Sequence, residues 1–220
     1  MPIPNTKVYL SSALSTGGAV QITPAQPGDF QLLSSGIPAP SLASATTDMN
    51  GDGRADLIFG APLNDDKAVD AGRIFVELAP LIGGTSLGLG DSLTQIIIDG
   101  INAGDHAGAS VAGITDLNAD GRGEILIGAP GMENGTKIDA GAGFVVFGKA
   151  SGGVDLNDPF TGGGGGYVLK GQNAGDAAGI TMASISDLNG DGKADILVGA
   201  TGNDAGGTDA GAVYVSWGKS

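Results

Sequence analysis

Three stretches of the chain carry oxygen-bearing side chains at the same intervals. Asp48 to Asp56 reads DMNGDGRAD, Asp116 to Glu124 reads DLNADGRGE, and Asp187 to Asp195 reads DLNGDGKAD. All three follow the pattern D-x-N-x-D-G-x-x-D/E. A hard dication takes six to eight oxygens at about 2.3–2.6 Å, and a tight loop supplies them from alternate positions. Side chains at positions one, three and five converge on a point. Glycine at position six permits the sharp turn that aims the seventh carbonyl inward, and a carboxylate at position nine closes the shell. The first ligand set is then Asp48, Asn50, Asp52, Asp56 and the carbonyl of Arg54. The second is Asp116, Asn118, Asp120, Glu124 and the carbonyl of Arg122, and the third is Asp187, Asn189, Asp191, Asp195 and the carbonyl of Lys193. Calcium is the ion such sets select, about three in all, one per repeat. An EF-hand needs glutamate at position twelve, where this chain has Phe59, Ile127 and Val198. All-oxygen ligands argue against zinc, and magnesium tolerates such a loop poorly. A metal-free turn cluster is the alternative, since Asn-Gly and Asp-Gly favour turns; three in-register copies favour the metal.

The loops sit inside longer repeats. Asp-Ala-Gly recurs at 70–72, 139–141 and 209–211, and GINAGDHAG at 100–108 matches GQNAGDAAG at 171–179. The first copy lacks this upstream part. Short apolar runs separated by turn residues predict strands rather than helices. In the second copy these are Ala109–Thr115, Glu124–Gly128, Gly143–Gly148 and Tyr167–Lys170, with the glycine-rich stretch 152–166 read as a loop. Four strands per repeat of about 70 residues is the size of a propeller blade. The expected fold is all-β, about three four-stranded antiparallel blades. It forms a partial propeller or the protomer of an oligomeric ring, because three blades do not close. Residues 1–32 hold N-terminal strands able to supply a closing strand (Lys7–Ser11, Ala19–Thr23 or Phe30–Leu33). Blades follow at 33–99, 100–170 and 171–220, the last lacking a fourth strand unless the N-terminus or a neighbour provides it.

Composition narrows the function classes. Of 220 residues 42 are glycine, and 24 acidic against 10 basic residues give a formal charge of −14. A surface this acidic repels nucleic-acid phosphates and anionic lipid, so neither is an expected partner. No apolar run is long enough for membrane insertion, and Met1 to Val20 shows no signal-peptide pattern. With no cysteine and one histidine, disulfides are excluded and histidine-based catalysis has little to work with. No nucleophile–base or paired-carboxylate constellation appears, and the chain reads as non-enzymatic.

These residues resemble the FG-GAP repeat, the blade unit of integrin α-subunit propellers and of many bacterial surface proteins. The likeness covers roughly residues 33–220 and is carried by the aspartate loops and by Gly-Ala-Pro at 60–62 and 128–130. The third copy departs with Gly199-Ala200-Thr201. The name-giving Phe-Gly pair is replaced by Ala107-Gly108 and Ala178-Gly179. The resemblance implies a calcium-stabilised, extracellular or cell-surface module for adhesion or recognition of a protein or glycan ligand. That ligand would bind on the face opposite the calcium loops. Two alternatives stay open: a self-assembling scaffold, with a homo-oligomer completing the propeller, and an accessory propeller domain of a larger secreted enzyme.

Lesser features have plainer readings. His106 is expected in solvent. Asp105 and Asp176, like Asp70, Asp139 and Asp209, are expected to shape turns. Trp217 is expected to pack between blades, and the five glycines at 162–166 form a flexible loop rather than a phosphate cradle.

Overall fold

In the computed structural model, residues 21–23, 47–79, 86–88, 95–157 and 165–219 are described. They contain strands and no helix. The strands are β1 (Gln21–Thr23), β2 (Leu57–Ala61), β3 (Arg73–Glu77), β4 (Ser86–Gly88), β5 (Gln95–Asp99), β6 (Ser110–Ile114) and β7 (Glu124–Ala129). They continue with β8 (Ala142–Val146), β9 (Val154–Asp155), β10 (Gly166–Lys170), β11 (Ala178–Ile185), β12 (Asp195–Ala200) and β13 (Ala212–Ser216).

The second repeat builds a four-stranded antiparallel sheet in the order β6-β7-β8-β10. The third builds β11-β12-β13. The first builds β2-β3-β5, with Thr47 bridging Asp56 at the position of the innermost strand. Two expectations are corrected. The stretch 152–166 is not loop throughout: Val154 and Asp155 form β9, which adds in parallel to Ile98 and Asp99 on the first sheet. Of the strand predicted at Ala19–Thr23, Gln21–Thr23 form β1, which among the described residues pairs in parallel with β4 and not with the third sheet. The other N-terminal strands predicted, Lys7–Ser11 and Phe30–Leu33, lie outside the described residues.

Side chains alternate across a strand, so each sheet has two faces, and a strand covered on both reads as a continuous apolar run. All six residues of β7 are buried for this reason. One face of the first sheet (Ile58, Ile74, Val76, Ile96, Ile98) packs on Ile125, Ile127, Phe144 and Val146 of the second. The second sheet turns Leu126 and Val145 to the third, meeting Met182, Ile196 and Val198. The third sheet's far face repeats the second's accepting positions but is open. Val145 is fully buried while its counterpart Val215 is 44% exposed. Leu117 is 2% exposed while its counterpart Leu188 is 60% exposed. Among the described residues β13 is an edge strand.

Close approach of the next repeat explains the Gly of the first two Gly-Ala pairs. A Cβ on Gly128 would collide with the carbonyl of Gly179 in the next sheet, as one on Gly60 would with the carbonyl of Gly108. The obstacle is backbone, so no rotamer change relieves it. Gly128→Ala is expected to destabilise by roughly 3 kcal/mol, within the overpacking range, read as a drop in urea midpoint. An unchanged midpoint would show that the sheets can slide apart freely.

Candidate metal centre

Each aspartate loop joins an innermost strand position to the next strand, so the three loops recur at the same corner of successive sheets. The chain is held in its turn by its own first aspartate. In the first loop Asp48 Oδ1 accepts the N–H groups of Gly51 (2.7 Å) and Asp52 (3.0 Å), and Oδ2 accepts that of Gly53 (2.7 Å). In the second, Asp116 accepts from Asp120 (3.1 Å) and Gly121 (2.8 Å). In the third, Asp187 accepts from Gly190 (2.6 Å), Asp191 (3.2 Å) and Gly192 (2.7 Å). Those N–H groups hold the Asp187 carboxyl below the ordinary range. Asn50, Asn118 and Asn189 each accept from the aspartate two residues on, and that aspartate accepts the N–H of position seven. Gly53, Gly121 and Gly192 have φ of 83°, 82° and 85°, a left-handed backbone that favours glycine. This is the turn expected at position six.

Position nine separates the loops. Asp56 is buried; its Oδ2 accepts from Met49 N–H (2.8 Å) and its Oδ1 from Ala79 N–H (2.8 Å). Asp195 does the same with Leu188 (2.7 Å) and Gly218 (3.0 Å). Glu124, also fully buried, accepts from Leu117 N–H (2.8 Å) through Oε2, while Oε1 has no hydrogen-bond partner. Among the described residues, the group of three carboxylates offering oxygens within 4.8 Å of one another is Asp116, Asp120 and Glu124. The outer loops do not bring their three carboxylates to that spacing. Burial, followed by the nearby charges of Asp116 and Asp120, pushes the Glu124 carboxyl up to about 8. Burial also raises Asp56. Three carboxylates at this spacing with an orphaned buried oxygen form a donor set for a hard cation, whose charge would offset their repulsion. The residues present fit calcium.

Sequence reasoning did not foresee the N–H groups of Ala79 and Gly218, each 23 residues after its aspartate. The equal spacing from ninth aspartate to strand end was the available signal. Nor did it foresee that neighbouring loops touch: Gly123 N–H donates to the Asp48 carbonyl at 2.8 Å, and Arg122 Nε to the Asn50 carbonyl at 3.3 Å.

The repeats themselves match known proteins. The FG-GAP repeat pattern matches residues 42–76 and 178–216, the first and third copies. The chain carries FG-GAP repeats. Integrin alpha-5 of Xenopus laevis is 33% identical over 169 residues, covering 73% of this chain and 14% of that protein. Integrin alpha-IIb of Mus musculus is 32% identical over 72% of the chain and 14% of its own length. Phosphatidylinositol-glycan-specific phospholipase D of Homo sapiens is 29% identical over 78% of the chain and 20% of its own length. The chain thus spans a seventh to a fifth of these relatives.

At the opposite corner of the FG-GAP sheets the Asp-Ala-Gly and Gly-Asp-x-x-Gly turns interlock. Asp70, Asp139 and Asp209 adopt φ of 52°, 51° and 51°, as turn formers should. Asp70 and Asp139 offer their carbonyls to His106 N–H (3.1 Å) and Ala177 N–H (3.0 Å) of the next repeat. Asp105 and Asp176 are buried and accept from Asn102 and Asn173 N–H, closing their own turns. Two expectations change here. His106 is half-buried, with Nδ1 3.3 Å from the Pro62 carbonyl, because its turn docks on the preceding repeat. Trp217 is 48% exposed. It borders a cleft of about 510 Å³ with Val168, Tyr214 and Val215, because no further sheet covers it among the described residues. The stretch 162–164 lies outside the described residues.

Proposed function

We propose that this chain is a non-enzymatic, calcium-binding, integrin-like propeller module for extracellular adhesion or for recognition of a protein or glycan. The observation that carries the reading is the Asp116–Asp120–Glu124 cluster with its orphaned buried oxygen, set in repeats that match FG-GAP. Calcium would be held by the side chains of Asp48, Asn50, Asp52 and Asp56, of Asp116, Asn118, Asp120 and Glu124, and of Asp187, Asn189, Asp191 and Asp195, with the carbonyls of Arg54, Arg122 and Lys193. A bound ion screens carboxylates that otherwise repel and ties each inner strand to its neighbour, so its role is structural. The ligand then meets the opposite corner, where the interlocked turns form one surface across repeats. The integrin relatives support placement at the cell surface or outside the cell. Binding of the purified chain to a panel of glycans and matrix proteins, with calcium and with chelator, tests the reading. Saturable capture of a defined ligand by the calcium-loaded chain supports it, and capture of none overturns it.

The open far face of the third sheet favours a second reading, assembly. Leu188, Val213 and Val215 are exposed where the equivalent part of the second sheet is covered. Sedimentation is expected to give a species heavier than one chain, and Val215→Lys to return it to one chain. A strict monomer before substitution removes the scaffold reading. Likeness to the phospholipase D supports the accessory-domain alternative.

A further inference from the structure

We infer that the three loops are unequal as cation sites: the middle one binds tightly and first, and the outer two bind weakly. This rests on the calcium reading above and concerns what the ninth residue does. In the outer loops the ninth residue is aspartate, and each of its oxygens accepts a backbone N–H. One comes from position two of the loop (Met49 or Leu188), the other from the end of the third strand (Ala79 or Gly218). That short carboxylate is a clamp between loop and strand. In the middle loop the strand-end residue in register with Ala79 and Gly218 is Gly148, two beyond Val146, and Glu124 Oε1 accepts no hydrogen bond from it or from any other group. Glu124 is therefore released from the second half of the clamp. Its extra methylene carries the carboxylate to within 4.8 Å of the oxygens offered by Asp116 and Asp120. Calcium affinity rises with the number of charged ligands and the rigidity of the site. The middle loop has its ninth carboxylate free to ligate, which neither outer loop has, and its second residue, Leu117, is buried like Met49 of the first loop, whereas Leu188 of the third is exposed.

Calorimetric titration of the full chain with calcium, with terbium luminescence as a second readout, tests this. One tight ion followed by two weaker ones is expected. Glu124→Gln and the shortened Glu124→Asp should each weaken the tight ion by about tenfold or more. Asp52→Asn and Asp191→Asn, exposed positions in the outer loops, should leave the tight ion unchanged and weaken only the later ones. Three equivalent ions, or an unchanged tight ion in Glu124→Asp, would overturn the inequality while leaving calcium binding intact. No binding to the folded wild-type chain would overturn the calcium reading itself. Asp120→Asn, exposed and in the middle loop, covers the case in which the Glu124 variants do not fold, and retention of the tight ion there counts against the inference.

Discussion

Excess chelator is expected to lower the melting temperature of this chain by about 5–10 °C, and added calcium to restore it. The reasoning is linkage. An ion bound by the folded chain alone adds RT ln(1 + [L]/Kd), about 2.7 kcal/mol at a hundredfold excess over Kd. One kcal/mol moves the melting point of a domain this size by roughly 2–4 °C. Only the tightest site need be filled for this shift, and weaker sites extend it at millimolar calcium. Mutating the middle loop should remove most of the response, because that is where buried carboxylate charge lacks a partner. Differential scanning calorimetry with and without chelator decides the matter. Superimposable melts would mean that the loops are metal-free turns.

In chelator, the chain loses stability as pH rises from about 5 to 8. Burial and the two neighbouring aspartates raise the folded Glu124 carboxyl to about 8 from an ordinary 4.5. Between those values the folded chain holds a proton that the unfolded chain has released. Stability then falls with pH, because it declines wherever the folded state binds more protons. The contribution is fully present below the unfolded value and gone once pH passes the folded one. Asp56 and Asp105 are raised by burial and act in the same direction. Asp187 is lowered, so its contribution is lost only as acid is added below the ordinary carboxylate range. The Glu124 effect is on the order of a few kcal/mol. Calcium held by Glu124 would displace the proton, so saturating calcium should flatten or reverse the slope. Urea midpoints at pH 5, 6.5 and 8 in both conditions check this; a midpoint that climbs with pH in chelator contradicts it.

The loops were legible because metal chemistry leaves little freedom. Oxygen donors must alternate, and the sixth residue needs a left-handed backbone, so residue types betray the geometry. The sheets were legible for a related reason: runs such as Ile125–Gly128, apolar throughout, have few other places to go. What escaped notice depended on contacts between distant segments. Val154 and Asp155 sit in a glycine-rich stretch with no local strand signal, and their partner lies a whole repeat away. Glu124 stood out by type, but its meaning required knowing that Asp56 and Asp195 clamp Ala79 and Gly218. Trp217 was read from the habit of tryptophan at strand ends, which fails where no neighbouring sheet arrives. His106 was placed in solvent because a turn looks exposed until the turn of the preceding repeat is seen beneath it.

The parallel strand Val154–Asp155 also imposes an order in time. Its partner residue Ile98 is made 154 − 98 = 56 residues earlier, and synthesis at 5–20 residues per second separates the two by about 3–11 s. During that interval the newly made first sheet lacks its outermost strand, and an unpaired edge is an invitation to pair with another chain. The second sheet's first three strands emerge in the same interval and seal one face of the first before the late strand arrives. Slowing translation between residues 99 and 153 should therefore increase misassembly of the nascent chain, while a pause after residue 157 should not.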